Sequence, residues 1–158
     1  MLVAAVAVAA GPAPAAAQTA NGTLNAAMNG LARLSLSSAA ITFPDADPDT
    51  VPNVPASQGP IGVTAKARTS VNGAVTLTVL AAGQLRSGVN TIPAANVTWT
   101  ATGPGFSGGT VSATTPQTLG TWSGSGVRTG TQAFLFRNLW TYSTGTYSVT
   151  LTFTLTAA

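Results

Sequence analysis

The strongest constraint on this fold is a repeated alternation of apolar residues with threonine or serine. It is clearest in residues 146–156, where the odd positions carry large apolar side chains, namely Tyr147, Val149, Leu151, Phe153 and Leu155. Successive side chains of a strand point to opposite faces, so this spacing gives one apolar face and one hydroxyl face. We therefore predict a strand that packs into a core on one side and is solvated by hydroxyls on the other.

Shorter segments repeat the pattern at 61–68, 75–79 and 97–102, and glycine-containing turn signals separate them. No segment after the N-terminal 17 residues has a helical period. Short strands with one polar face favour antiparallel pairing, and their regular spacing is typical of sandwiches. The sequence thus predicts an all-β fold, an antiparallel β-sandwich of Ig-like or Greek-key type. Trp99 falls at an inward position of its strand and is expected in the core.

The turn at Asn72-Gly73 predicts a specific hairpin. A three-residue loop at 71–73, with Gly73 in the left-handed conformation, would pair Ala67 with Leu77. This register keeps both cations of segment 61–68 on the outer face, whereas a two-residue loop would turn them inward.

The N-terminal segment is predicted to be a secretory signal. An apolar run opens the chain, and small residues at Ala15–Ala17 precede a cut before Gln18. We expect residues 1–17 to be removed, 18–30 to form an arm or a first strand, and 31–158 to form a single domain. No second apolar span follows, so no membrane span is expected after cleavage, and the protein is expected to be extracellular or at the cell surface.

The charge composition excludes several classes of function. The chain has six basic and three acidic residues, no His and no Cys. The usual general base and the thiol nucleophile are therefore missing, and we expect no enzyme. The cations are scattered rather than clustered into a stripe, so nucleic acid is not an expected partner.

All acidic residues lie in one proline-rich segment, Pro44–Pro60, which is predicted to be a long unpaired loop. Their spacing at i, i+2 and i+4 is that of the start of a Ca²⁺ loop, with Asp45, Asp47 and Asp49 as candidate ligands. The EF-hand pattern is not completed, because Thr50 and Ala56 stand where it needs Gly and Glu. The alternative is a turn in which aspartates accept local backbone N–H groups.

Three aromatic residues are candidates for a sugar-binding surface, namely Trp122, Trp140 and Tyr142. Trp140 and Tyr142 are two positions apart near a turn, where they could stack on sugar rings. The alternative is that they close the core, since aromatic side chains bury large areas.

The closing segment of the chain and two segments upstream of it are similar to a known family of domains. The closing segment 145–155, with segments 90–93 and 97–100 upstream, resembles bacterial WxL-type cell-surface domains. The Trp-x-Leu pairs of that family would fall at 99–101 and 153–155, and neither is intact. The resemblance implies a secreted, envelope-associated and non-catalytic role, and it transfers no functional residue.

These features predict a non-catalytic, secreted bacterial structural or surface protein. Its expected partner is a cell-envelope polymer or a copy of itself, and the alternative is a carbohydrate-binding module. Leu24, Ala26 and Met28 alternate within residues 18–30, and no charge precedes Arg33. We therefore predict that this segment adds a strand to the edge of a neighbouring copy, unless it forms the domain's own first strand.

Overall fold

A computed structural model describes residues 23–158 of the chain. The predicted signal, residues 1–17, and residues 18–22 of the predicted arm lie outside the described residues. The described part is all-β, as predicted, and its helical content is a single 3₁₀ turn at Ala94–Asn96. Its strands are β1 (Leu31–Leu36), β2 (Asn53–Pro55), β3 (Ile61–Arg68), β4 (Ala74–Ala81), β5 (Leu85–Ser87), β6 (Asn90–Ile92), β7 (Val97–Thr102), β8 (Gly109–Thr110), β9 (Gln117–Ser123), β10 (Gly126–Arg137) and β11 (Leu151–Ala157).

The strands form two packed antiparallel sheets and one small hairpin. The first sheet has the order β1-β3-β10-β7-β8, with β2 pairing to β10 outside this path. The second sheet has the order β11-β4-β9, and β5 pairs with β6. The apolar faces of the two sheets meet in a common core, which confirms the predicted antiparallel sandwich.

The core follows the predicted alternation. Leu77 and Val79 of β4 are fully buried, and Trp99 of β7 is 2% exposed, as predicted. Lys66 and Arg68 of β3 lie on the exposed face, also as predicted. Burying a large apolar side chain contributes about 1.5–3 kcal/mol, so these inward rows hold the two sheets together.

The predicted hairpin at Asn72-Gly73 is wrong. β3 and β4 lie in different sheets, and residues 69–73 cross between them. Ala67 pairs with Ala32 and Gly126, while Leu77 pairs with Leu155 and Gly120. The alternation fixes which face of a strand turns inward, but a strand can satisfy it in either sheet.

The turn conformation also differs from the prediction. Asn72, not Gly73, has the positive φ, at 63°. Asparagine tolerates this left-handed region better than most residues with a side chain. Gly73 instead allows a close approach, because a Cβ there would collide with the Thr69 side chain and the Ala158 carbonyl.

The proline-rich segment is not wholly unpaired. Residues 53–55 pair with β10, and Val54 is 2% exposed. The N–H of Ala56 donates to Phe134 and the N–H of Asn138 donates to Pro52, so the bonding positions are the even ones. Pro55 therefore sits where no backbone donor is needed, which explains why its missing N–H does not prevent pairing.

Within the described range, no helix has both the length and the apolar character needed to cross a membrane.

Candidate functional site

The two neighbouring aromatics of the predicted sugar platform lie in different surroundings. Trp140 is 69% exposed, and its Nε1 donates to Asp49 Oδ1 at 3.0 Å. Tyr142 is half-buried, with its ring centroid 5.8 Å from that of Phe136. Its hydroxyl accepts a hydrogen bond from Asn96 Nδ2 at 2.7 Å. Trp140 is thus the exposed ring of this pair, while Tyr142 packs against the core.

Burial also affects the titration of Tyr142. Desolvation raises the pKa of its phenol, while the charge of Arg137 and the hydrogen bond from Asn96 lower it by less. The neutral phenol is therefore favoured in the folded protein.

Trp122 belongs to a different part of the molecule, where it covers two glycines. Its Nε1 donates to the Pro104 carbonyl at 2.8 Å, and its ring meets Phe106 edge-on at a centroid distance of 4.9 Å. A Cβ on Gly105 or Gly120 would overlap the indole. The ring therefore lies directly on glycine backbone, which favours the predicted alternative of core closure.

Trp99, in the other sheet, packs on glycine backbone in the same way. A Cβ on Gly109 would lie 2.6 Å from Cζ2 of Trp99, and Trp99 Nε1 donates to the Ser107 carbonyl at 2.8 Å. We call this side of the sandwich, formed by β7, β8, β9 and residues 103–109, the closed side. Two indoles fill it, and each finds a backbone carbonyl for its N–H.

The predicted metal ligands do not form a cluster. Asp47 Oδ1 accepts the N–H of Asp49 at 2.9 Å, and the Asp47 carbonyl accepts the N–H of Val51 at 2.8 Å. These are the bonds of the alternative prediction, a local turn. From residue 23 onward, no three acidic side chains are grouped in a way that could hold a metal ion.

The opposite side of the sandwich is not sealed. There β1 pairs only with β3, and β11 pairs only with β4, among the strands described. The two strands contact each other across the sandwich, and a groove of about 1290 Å³ opens on this side. We call this the open side. Apolar side chains of both edges line its groove, among them Leu36, Ile41, Phe43, Tyr147, Leu151 and Phe153.

The inward row of the open edge is only half covered. Leu151, Phe153 and Leu155 of β11 are half-buried, whereas the residues that face them on β4 are 0–1% exposed, namely Ala81, Val79 and Leu77. The row continues upstream through the half-buried Val149 and Tyr147. Side chains that point into the core thus remain partly in contact with water.

The same edge has backbone groups that no strand among residues 23–158 pairs with. The carbonyl of Thr150 accepts the N–H of Ala82, and the N–H of Ala158 donates to the carbonyl of Ala74. Because bonding positions alternate in an antiparallel ladder, the even residues of β11 face β4. The odd residues, Leu151 and Phe153 among them, direct their N–H and C=O groups towards the open side. We call residues 147–153 the acceptor edge.

The N-terminal arm starts at the other end of the sandwich. Residues 23–30 carry no secondary structure and are exposed, with Leu24 95% and Met28 72% exposed. They leave β1 at Leu31, which faces Arg68, whereas the groove begins at Leu36. Of the two alternatives left open by the sequence, the described part of the arm is not the domain's own first strand.

Sequence reasoning missed the groove, although one signal was present. Ile41, Phe43, Tyr147 and Val149 are large apolar residues in segments outside the strands. Large apolar residues in unpaired segments indicate a core that extends beyond the regular strands.

Comparison with protein-family models, with curated proteins and with solved structures found no match.

Proposed function

We propose that this is a non-catalytic structural protein, secreted by a bacterium and held at its surface through contacts made by the open side. The partner is an envelope polymer or a further copy of the chain. The observation that supports this most is the half-buried apolar row beside the free backbone edge of β11. An unpaired edge with an apolar face is a ready template for association.

The edge also lacks the protection that monomeric proteins usually carry. Charged side chains, above all lysine, commonly guard edge strands against pairing. The acceptor edge and the rest of β11, residues 147–157, contain no charged residue. This supports a surface made for contact rather than one kept solvated.

The outer face of the second sheet carries threonine hydroxyls, which supports an extracellular location. Thr154 lies opposite Thr78, and Thr156 lies opposite Thr76 on β4. Threonine suits a pleated surface and solvates it without charge. A hydroxyl-covered exterior supports a stable, charge-poor structural role.

The proposal is tested by fractionating cells that produce the full chain and by mixing the purified mature protein with isolated envelope fragments. We expect the protein at the cell surface, and we expect it to pellet with envelope or as its own assemblies. Phe153→Asp should abolish pelleting, because it places a charge in the groove. Thr152→Asp, on the outer face of the same strand, is the matched control and should pellet normally. A freely secreted monomer with no envelope affinity would contradict the proposal.

One observation favours a second candidate, a carbohydrate-binding surface. Trp140 is the most exposed of the three candidate rings and lies at the groove, which also holds Tyr142. An exposed indole can stack on a sugar ring, and hydroxyls and carboxylates nearby can bind its oxygens. Trp140→Ala should then abolish binding of soluble wall oligosaccharides measured by calorimetry, while Tyr147→Phe should keep it. Equal binding by both variants would exclude this surface.

A further inference from the structure

We propose that the groove of the open side is filled by the arm of a second copy, residues 23–30, which adds as a strand along the acceptor edge. This inference rests on the proposed function and names its partner. Strand addition of this kind uses main-chain hydrogen bonds for affinity and alternate side chains for fit.

The acceptor edge offers both parts of such an interaction. Its odd residues present side chains to the groove and backbone N–H and C=O groups to the open side. An added strand would satisfy these backbone groups and cover the apolar row in one step. Only a polypeptide can do both, which favours a chain segment over an envelope polymer as the occupant.

The arm has the matching pattern. Leu24, Ala26 and Met28 alternate with a second row of small or polar residues, namely Thr23, Asn25, Ala27 and Asn29. The three apolar residues span the same five positions as Val149, Leu151 and Phe153 of the acceptor edge. Eight extended residues reach about 26 Å, and the seven residues of the acceptor edge span about 23 Å, so the two segments agree in length.

Charge also permits the insertion. Residues 23–30 carry no charge, and neither does the acceptor edge. Pairing the two segments therefore desolvates no ion of either one, and desolvation of an ion is the largest penalty for placing chain in an apolar groove. The exposure of Leu24 and Met28 in the single copy gives apolar surface that insertion would remove from water.

Position favours a second copy over the arm's own sandwich. The arm leaves at Leu31, and the groove begins at Leu36, about 17 Å along β1. To reach its own groove the arm must reverse and spend about five residues, 26–30, on the way back. Of its three apolar residues only Leu24 would then enter, and Ala26 and Met28 would stay outside. A second copy placed end to end meets the arm directly.

The arm and the acceptor edge lie at opposite ends of the sandwich. One copy can therefore insert its arm into a neighbour and also receive the arm of another copy. A contact between two unlike surfaces repeats from copy to copy, and it leaves a free arm at one end of the assembly and a free acceptor edge at the other. The expected product is a chain of copies that lengthens with concentration.

The test is sedimentation velocity of the full mature protein over a wide concentration range. The double variant Leu24→Asp/Met28→Asp should remain monomeric at concentrations at least 100-fold above those at which the unaltered protein assembles. The matched control, Thr23→Asp/Asn25→Asp, adds the same charge on the other face of the arm and should assemble within about threefold of the unaltered protein. All four positions are exposed, so neither variant is expected to unfold the domain.

The outcomes separate this inference from the proposed function. If the unaltered protein assembles and Leu24→Asp/Met28→Asp assembles equally well, the arm is not the occupant, although self-association stands. If both double variants lose assembly alike, charge rather than the apolar face decides, and the inference is wrong. If the unaltered protein is monomeric and does not bind envelope, the proposed function is wrong as well.

Cross-linking identifies the acceptor directly. The sequence contains no cysteine, so one introduced in each of two copies can react only with the other or with its own kind. Mixing an Ala26→Cys copy with copies carrying Leu151→Cys or Phe153→Cys, with oxidised glutathione as the oxidant, should give the mixed disulfide dimer, since facing Cβ atoms in a strand pair lie about 4.5–5.5 Å apart. Replacing Ala26→Cys by Asn25→Cys should remove it. Equal yields from both arm cysteines would overturn the assignment of the acceptor edge.

Discussion

The two sides of this sandwich close by different means, although the strands that border them follow the same alternation. On the closed side, Trp99 and Trp122 lie on glycine backbone and donate to carbonyls of the loop at 103–109. On the open side, β1 and β11 end the sheets with no such filling from residues 23–158, and a groove of about 1290 Å³ remains.

The difference shows that alternation alone does not complete a core. It turns apolar side chains inward, but edge strands have a neighbour on one side only. The closed side solves this with two large rings packed against residues that lack a Cβ. On the open side, in our proposal, the arm of a second copy covers the apolar row instead.

The closed side should be the more sensitive to truncation. Trp99→Ala removes a 2% exposed ring and its hydrogen bond to the Ser107 carbonyl. We expect the free energy of unfolding to fall by about 3–5 kcal/mol, measured by urea denaturation. Trp140→Ala, which removes an exposed ring, should cost less than about 1 kcal/mol. Similar losses in the two variants would show that the closed side is not sealed by Trp99.

A single cross-strand pair compares a covered and an uncovered position directly. Leu77 of β4 and Leu155 of β11 face each other, but Leu77 is 0% exposed and Leu155 is half-buried. Leu77→Ala should cost about 2–5 kcal/mol in the monomer. Leu155→Ala should cost about half as much, because less of its surface leaves water on folding. An equal cost, measured by thermal and urea unfolding at low concentration, would mean that the open side is closed in solution.

The glycine contacts of the closed side provide a sharper test. In Gly109→Ala the new methyl would stand 2.6 Å from Cζ2 of Trp99, so the ring or the loop must move. We expect a loss of about 1–3 kcal/mol from overpacking. Gly83→Ala is the control, since a Cβ there meets nothing within 4 Å, and its free energy of unfolding should not fall. Full stability of Gly109→Ala would contradict the indole-on-glycine account.

The aspartate turn borders the open side and should respond weakly. Asp47→Ala removes the acceptor for the Asp49 N–H, and we expect a loss of about 0.5–1.5 kcal/mol. Asp47→Asn keeps a carbonyl acceptor and should retain most of the stability. The thermal midpoint should not change when a chelator is added. A midpoint that falls with chelator would instead support the Ca²⁺ site predicted from the spacing of Asp45, Asp47 and Asp49.

The smallest effect is expected at high pH. Burial raises the pKa of Tyr142 in the folded protein, so the unfolded chain releases this proton first as the pH rises. The contribution of Tyr142 is therefore fully present below the ordinary tyrosine pKa of about 10 and is lost above it. Tyr142→Phe should flatten the alkaline fall in the free energy of unfolding. An alkaline fall of the same slope in Tyr142→Phe and in the unaltered protein would contradict this role of the buried phenol.

The sequence predicted which side chains of a strand turn inward better than it predicted which strands pair with each other. The odd residues of 147–155 turn inward, and Trp99 lies in the core, as expected from the period of two. The pairing of Ala67 with Leu77 was wrong, because both sheets offer the same inward environment to a strand. Which sheet a strand joins depends on contacts between distant segments, and no local period records these.

The candidate site was predicted in part. The alternation in residues 23–30 marked the arm, but the groove is lined by the end of β1, the segment after it and the segment leading into β11, which are far apart in sequence. Trp122 and Trp140 look alike in sequence, yet one lies on glycine backbone and the other is 69% exposed. Only the approach of residues 103–109 to β9 decides between them.

The acceptor edge should be unpaired in a single copy and paired in the assembly. Amide hydrogen exchange at single-residue resolution tests this most directly. The N–H groups of Leu151 and Phe153 should exchange rapidly in monomeric Leu24→Asp/Met28→Asp and become protected in the assembled, unaltered protein. The N–H groups of Thr152 and Thr154, which face β4, should be protected in both. Rapid exchange of Leu151 and Phe153 in the assembly, or protection of both in the monomer, would contradict the account.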